Sequence, residues 1–293
     1  MISSHEQASV QDVAAVVCAK NASVTIGRCL ASSRKCGIDE LIVVDGRSTD
    51  TTCIVARGYT DRVFTDGGRG LAYARQLGAE QATKRFVLYL DADAELPSAE
   101  TLKTMIRELQ GNDWVAIHAQ LVDPTPQKSY WEDGEDFHWR VRLDRAGQRR
   151  FLHTIVCLIE RESILRYKFD PFFEGAAEDG EFYYRVRLGG ESFGMSTAVA
   201  HHYHRSSIKE FVQQRIWYGR GNARFACKHG EMLCPLLCTP FALVGFGLIF
   251  VPLRYGKLKY APFYFVWALS LLAGTILEFL KLMRLPRNPE VTL

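Results

Sequence analysis

Asp91 and Asp93 lie two residues apart and directly follow the apolar run Phe86–Leu90. An uninterrupted apolar run of this length is typical of a strand that is buried on both faces of a sheet. The chain turns where such a strand ends, so both carboxylates can reach one cation just beyond the sheet. Hard oxygen ligands in that place suit Mg²⁺ or Mn²⁺ held jointly with a substrate phosphate. The alternative interpretation is that Asp93 caps the next helix or that the pair forms a solvated turn.

Strand and helix patterns alternate through the first half of the chain. Apolar runs predict strands at Val13–Ala19, 41–44, 62–65, 86–90 and 114–122, and helical patterns lie between them at 22–35, 50–57, 71–83 and 98–109. Such alternation with short connections predicts an α/β fold with a mainly parallel sheet and helices on both faces. Three of the strands end in polar residues, at Asn21, Asp45 and Asp91, and these ends are expected to converge on one nucleotide-binding crevice.

Composition and charge exclude several other classes of protein. The chain has 293 residues and a formal net charge of +3, which is too small to indicate a nucleic-acid partner. The eight cysteines have no C-x-x-C spacing, which argues against a zinc site or a disulfide framework. Gly68 and Gly70 begin a G-x-G-x-x-G pattern, but Tyr73 occupies the third glycine position. A dinucleotide-binding dehydrogenase is therefore disfavoured.

Several short motifs, in their order and spacing, resemble family-2 glycosyltransferases with the GT-A fold. Gly46 stands where the family usually has a second aspartate, while Asp45 keeps the first. The resemblance covers residues from about 13 to 222, and its motifs are Val-Val-Cys-Ala-Lys-Asn at 16–21, Val-Val-Asp-Gly-Arg-Ser-Thr-Asp at 43–50, the Gly-rich stretch 70–78, Asp91-Ala-Asp93, Glu178-Asp179 and a late histidine at 202 or 204.

The resemblance implies roles for individual residues. It implies nucleotide-sugar contacts from Asn21, Asp45, Gly70, Arg75 and Asp91. It also implies that Mn²⁺ or Mg²⁺ is bound by Asp91, Asp93 and a histidine, taken as His202 from the group His201, His202 and His204. Asp179 is expected to be the general base, and Glu178 to bind sugar or acceptor hydroxyls. The alternative for this acid pair is helix capping, because carboxylates favour the first turn of a helix.

The last third of the chain changes character. Residues 232–253 carry no charge and residues 260–277 form a second apolar segment, each long enough to cross a bilayer. The loop between them is short, so we expect a hairpin that either spans the membrane or re-enters on one side; a buried soluble helix pair is the alternative. The basic stripe Arg220, Arg224 and Lys228 precedes the hairpin and suits anionic headgroups. The excess of basic residues at the outer flanks favours the cytoplasmic side.

These patterns combine into one prediction. We expect a polar tail at 1–12, a GT-A catalytic domain at 13–229, two hydrophobic membrane helices at 230–284 and a tail at 285–293. The predicted function is a membrane-anchored, metal-dependent, inverting glycosyltransferase at the cytoplasmic face of the cell membrane. It would move a sugar from a nucleotide-diphosphate donor to a polyprenyl phosphate, a lipid-linked saccharide or another membrane-proximal acceptor. The alternative function is an inactive membrane-bound sugar-binding or scaffold protein.

Overall fold

The computed structural model of the chain describes residues 8–143 and 145–284. Within this part the backbone forms two compact units, and each is described by itself. The first unit holds most of the chain up to His204, and the second holds the chain from Arg205 onward with the segments Ser129–Gly134 and Gly175–Ala177. The predicted tail 285–293 and most of the tail 1–12 lie outside the described residues.

A nine-stranded sheet forms the centre of the first unit in the described part of the chain, with the order β3-β2-β1-β4-β8-β6-β9-β5 and β7 paired to β9. Its strands are β1 (Val13–Ala19), β2 (Glu40–Asp45), β3 (Val63–Thr65), β4 (Phe86–Leu90), β5 (Ala94–Glu95), β6 (Ala116–Val122), β7 (Gly147–Gln148), β8 (Val156–Glu160) and β9 (Phe193–His202). The first four strands pair in parallel, as their alternation with helices predicts. The strands predicted at Val13–Ala19 and Phe86–Leu90 are confirmed.

Strand β8 runs against its neighbours. It is antiparallel to both β4 and β6, so the sheet is mixed rather than uniformly parallel. The opposing register pairs Leu90, the last residue of β4, with Val156, the first residue of β8. The segment that enters β8 therefore lies at the same edge of the sheet as the end of β4.

Helices cover the sheet and build the second unit. They are α1 (Ile26–Lys35), α2 (Thr52–Arg57), α3 (Leu71–Gln81), α4 (Ala99–Gly111), α5 (Tyr130–Leu143), α6 (Arg161–Tyr167), α7 (Glu178–Leu188), α8 (Ile208–Lys228), α9 (Leu233–Gly245), α10 (Val251–Tyr255) and α11 (Ala261–Arg284). Helix α5 lies in a stretch rich in charged residues for which no element was predicted from the sequence. Helix α3 comes so close to β1 that a Cβ atom at Gly78 would overlap the side chain of Val16.

In the second unit α11 packs along α8. A Cβ atom at Gly219 would overlap the carbonyl oxygen of Leu271, and one at Gly274 would overlap that of Ile216, so glycines let the two backbones meet. Arg224 pairs with Glu278 across this contact, with Nε 2.8 Å from Oε1. Arg224 of the predicted basic stripe therefore faces α11, whereas Arg220 of the same stripe is exposed.

Two helical stretches are long and apolar enough to cross a membrane, judged by length and composition: Gly230–Tyr255 and Leu258–Arg284. They contain the two apolar segments predicted from the sequence. The second stretch is half buried within the protein, whereas the first is mostly exposed.

The close approach of α3 to β1 gives a stability prediction. Gly78→Ala should destabilise the protein by about 1–3 kcal/mol, because a methyl group in a well-packed core forces its neighbours off their rotamers. Gly111→Ala is the matched control, since a Cβ atom at this helical glycine meets no atom within 4 Å. It should be neutral or slightly stabilising because alanine favours helix more than glycine. Thermal unfolding in detergent measures both, and an unchanged Tm for Gly78→Ala would contradict the tight contact.

Candidate active site

Two aspartates and a histidine form the centre of the site. One ligand atom from each of Asp91, Asp93 and His202 lies within 4.8 Å of the others. The backbone N–H of Asp91 donates to the carbonyl of Ile155 at 2.8 Å, which fixes the turn after β4. Strand β5 then pairs with the end of β9, placing Ala94 opposite His202. The two carboxylates and the imidazole thus meet because β4 and β9 end, and β5 begins, at the same edge of the sheet.

His202 is the histidine whose ring joins this group. Its Nε2 lies 3.4 Å from Oδ1 of Asp93, and its Nδ1 is buried without a hydrogen-bond partner among the described residues. Burial is the largest single effect and lowers the pKa of His202, but the charge and hydrogen bond of Asp93, together with the charges of Asp91 and Glu135, raise it above its ordinary value. His201 precedes it on β9 and so alternates to the other face of the strand. The backbone N–H of His204 donates to Asp123 at 3.2 Å.

This donor set fits a divalent cation. Carboxylates with one imidazole suit Mn²⁺ or Mg²⁺, and a buried ring nitrogen without a partner is the group that a metal would satisfy. Burial raises the pKa of Asp91 to about 6, although Arg75 opposes the shift. A bound cation would reverse that shift, because a nearby positive charge favours the ionised carboxylate.

Arg75 connects this centre to the acid pair. Its guanidinium is buried, contacts Oε1 of Glu178 directly, and lies 3.6 Å from Oδ1 of Asp91. A third contact runs to the carbonyl of Thr154 at 3.4 Å. Burial raises the pKa of Glu178, and the contacting guanidinium opposes that rise. One oxygen of Glu178 is therefore occupied by Arg75.

Asp179, the other acid of the pair, contacts a histidine that the sequence analysis missed. Oδ2 of Asp179 lies 3.5 Å from Nδ1 of His153. Burial would raise the pKa of Asp179, but the hydrogen bond and charge of His153, together with Arg75, hold it below its ordinary value. The His153 ring stands edge-on to Trp139 and Phe151, with centroids 4.9 and 4.8 Å away. Asp179 is thus held ionised, as a proton acceptor must be.

Two of the residues predicted to contact the nucleotide, Asn21 and Asp45, lie just after β1 and at the end of β2. The side-chain oxygen of Asn21 accepts the Thr49 N–H at 2.8 Å. Asp45 is buried, and its Oδ2 accepts the Ser48 N–H at 3.0 Å. Both side chains therefore shape the loop after β2. The structure brings Asn21 and Asp45 together at this loop. It groups Asp91, Glu178 and Asp179 around the guanidinium of Arg75.

Gly70 and the loop before it depend on Asp66, a second residue that the sequence analysis missed. Gly70 has φ +94°, and a Cβ atom there would overlap the carbonyl of Glu174. The buried Asp66 accepts backbone N–H bonds from Gly68 at 2.6 Å and from Gly70 at 3.1 Å. Asp66 follows β3 directly, so it has the signal that marked Asp45 and Asp91: an acid at the end of a strand.

Comparisons with known proteins agree with this architecture. Residues 14–171 match the model of glycosyl transferase family 2. The chain is 22% identical over 262 residues to a pre-mycofactocin glycosyltransferase from Mycobacterium tuberculosis, covering 85% of this chain and 55% of that protein. It is 29% identical over 146 residues to the lipopolysaccharide core biosynthesis glycosyltransferase LpsC from Rhizobium meliloti, covering 47% and 53%. The chain thus spans about half the length of these curated relatives.

A solved structure with a similar fold is the mannosyltransferase PcManGT from Pyrobaculum calidifontis, in complex with GDP-Man and Mn²⁺. It superposes with a TM-score of 0.67 at 17% identity, covering 92% of this chain and 87% of that one. The likeness shows the predicted GT-A fold, and it extends beyond the residues that the family model matches.

Proposed function

Because this chain belongs to glycosyl transferase family 2, we propose that it is a metal-dependent, inverting glycosyltransferase that uses a nucleotide-diphosphate sugar. The observation that carries the proposal is the position of Arg75, between Asp91 of the candidate metal centre and Glu178 of the acid pair. Sugar transfer needs a metal centre for the donor diphosphate and a carboxylate for the acceptor hydroxyl. The two must lie about one sugar's width apart. PcManGT, which binds GDP-Man and Mn²⁺, supports the donor class and the metal.

The donor half of the site would be formed by strand ends. Asn21, Asp45 and Gly70 lie on the loops that would hold the nucleotide. Asp91, Asp93 and His202 would hold the cation, which when bound would neutralise charge on the departing diphosphate. Arg75 adds a fixed positive charge beside Asp91, and it is held there by Glu178.

The acceptor half would centre on Asp179. An acceptor hydroxyl would lose its proton to the Asp179 carboxylate while its oxygen forms a bond to the anomeric carbon. The bond from that carbon to the diphosphate breaks in the same displacement, so the configuration inverts. His153 would act as a positioning residue that holds Asp179 ionised and fixes its orientation. Glu178, engaged by Arg75, would set the position of that guanidinium and could contact sugar hydroxyls through its other oxygen.

The acceptor is proposed to be lipid-associated, and the protein to be anchored at the cytoplasmic face of the cell membrane. The exposed apolar helices of the second unit and the basic residues beside them support the anchoring. A polyprenyl phosphate and a lipid-linked saccharide both fit this setting. The lipopolysaccharide core relative is similar over about half of this chain and favours the saccharide.

The metal centre gives the first test of this function. Asp91→Asn and Asp93→Asn should each lower transfer by more than the roughly 10–100-fold loss typical of outer-shell partners, because a direct ligand is removed. Mn²⁺ binding, followed by electron paramagnetic resonance, should weaken in parallel. The control is Asp113→Asn, the same change at an exposed loop position. Full activity of the wild type in EDTA would contradict the metal role.

The proposed base separates chemistry from binding. Asp179→Asn should lower kcat by about 10²–10⁴-fold, the usual contribution of a general base, while the donor Kd stays unchanged. Steady-state kinetics and donor titration measure the two quantities. A variant that kept its kcat and only raised the donor KM would show that Asp179 binds substrate. Donor binding without any transfer or hydrolysis by the wild type would favour the scaffold alternative.

The contact between His153 and Asp179 predicts a change in the pH profile. A base works when deprotonated, so kcat/KM falls as the pH drops through its pKa. Removing His153 takes away the contact that lowers the pKa of Asp179. His153→Ala should therefore move the acidic limb to higher pH, and His153→Gln, which keeps an N–H donor, should move it less. The charged and titratable groups near Asp179 that remain unchanged are Arg75, Asp91, His118, Cys157, Glu178 and Tyr183. An unshifted limb would contradict the role of His153.

A further inference from the structure

Helices α8 and α11 of the second unit run side by side in the same direction. Near their starts the rings of Phe211 and Phe263 are 4.9 Å apart. One turn further the guanidinium of Arg215 lies 3.9 Å from the ring centre of Trp267. The contact continues through Gly219 and Thr275 and reaches the Arg224–Glu278 ion pair. The two helices therefore share one orientation over four turns.

The helical stretch between them returns in the opposite direction. It leaves the end of α8 through the turn Gly230–Met232, and near its own end Phe246 and Gly247 pack against Tyr264, close to the start of α11. The second unit is thus a three-helix bundle with two ends. One end, called here the loop end, holds the loop between α10 and α11. The other, called the tail end, holds the last residues of α8 and α11.

Polar contacts fix the loop end. The Lys259 ammonium lies 2.7 Å from the Asp133 carboxylate, and the hydroxyl of Tyr260 donates to the same group at 2.8 Å. The hydroxyl of Tyr130 donates to the carbonyl of Lys259 at 2.9 Å. The loop end is therefore held by the segment Ser129–Gly134, and it also contains the start of α8. In the sequence, α8 begins six residues after His202.

This arrangement decides how the apolar segments can meet a bilayer. If α11 crossed the hydrocarbon, α8 would cross beside it. Over the shared turns α8 carries six strongly polar residues: Gln213, Gln214, Arg215, Arg220, Asn222 and Arg224. Gln213 and Arg220 are exposed. Lipid-exposed arginine at the depth of the acyl chains is strongly unfavourable, and so is an ion pair removed from water.

Most of the exposed apolar side chains of the bundle come from the return stretch and the outer side of α11: Leu233, Leu237, Phe241, Leu248, Ile249, Phe250, Leu253, Phe265, Leu269, Ile276, Leu277, Leu280 and Met283. Exposed basic residues are present at both ends, Arg254 and Lys257 at the loop end and Lys281 and Arg284 at the tail end. An apolar face bordered by positive charge at each end matches a leaflet with anionic headgroups.

We propose that the second unit is a monotopic membrane-binding bundle whose apolar face enters one leaflet of an anionic bilayer without crossing it. The inference rests on the membrane association in the proposed function. It replaces the expected membrane-spanning hairpin with a bundle that is embedded in one leaflet. Both ends of the bundle then stay in the same compartment as the first unit, which contains the candidate active site. The occupant of the apolar face is lipid.

The experiment compares how accessible the loop end and the tail end are to a labelling reagent. The reference is a position on the first unit, which contains the candidate active site. The full chain carries Cys227→Ser, Cys234→Ser and Cys238→Ser, which remove the exposed thiols. One cysteine is then introduced at Lys257, at Arg284 or, as the reference, at the exposed Lys103 of α4. A membrane-impermeant maleimide is added to sealed vesicles from expressing cells before and after detergent. The background variant without an added cysteine gives the baseline.

All three introduced cysteines should be labelled to the same extent, with no further gain after detergent. A spanning bundle predicts that Lys257→Cys follows the reference while Arg284→Cys behaves oppositely, and a hairpin with both flanks on the catalytic side predicts the reverse pattern. Either result would overturn the proposal.

Membrane binding is tested separately by flotation of the full chain with vesicles of phosphatidylcholine alone or mixed with phosphatidylglycerol. Flotation should be greater with phosphatidylglycerol, and raised salt should reduce the difference because screening weakens the charge attraction. Failure to float would remove the membrane association of the proposed function itself. A detergent-free protein that forms a defined dimer instead would show that a second copy covers the apolar face, and would overturn the lipid assignment.

Discussion

The buried guanidinium of Arg75 holds the candidate site together. It contacts Glu178 at the start of α7, Asp91 at the end of β4, and the carbonyl of Thr154. Without this cation, two carboxylates would lie near each other in a cleft of low polarity, which is costly unless each is paired or protonated. The position of the candidate metal centre relative to the acid pair therefore depends on one side chain of α3. The tight packing of α3 on β1, through Gly78, determines where that side chain begins.

The reversed strand β8 explains how a histidine reaches the acid pair. Because β8 is antiparallel to β4, its first residue lies beside the last residue of β4. The three residues before it, His153, Thr154 and Ile155, therefore reach the edge where the parallel strands end. Thr154 accepts from Arg75 and Ile155 accepts from Asp91, so the two residues that follow His153 are fixed. One antiparallel strand thus adds a loop to an edge otherwise built from strand ends.

The second unit combines two kinds of surface. Glycines at 219 and 274 bring α8 and α11 into backbone contact, which couples a polar helix to an apolar one over their shared length. Burial of the Arg224–Glu278 pair in that contact leaves apolar side chains on the outer side of α11. Helix α11 is apolar by composition. Together with the polar helix α8 it forms a helix pair with one polar side and one apolar side. In the proposed membrane association, this pairing limits how deeply the unit enters lipid.

The sequence by itself indicated the strands β1 to β4 and β6, and the acids that follow them, whereas β5, β7, β8 and β9 were not predicted. Local patterns in the sequence include the apolar runs 13–19 and 86–90 and the acids that follow strands. Asp45, Asp91 and Asp93 could therefore be placed at the sheet edge without coordinates. Asp66 carried the same signal. His153 and the direction of β8 could not be predicted, because each depends on contacts between residues far apart in sequence. The partner of Arg224 was likewise hidden, since it lies 54 residues away on another helix. Local periodicity determines which elements form, whereas packing between distant elements decides which side chains meet.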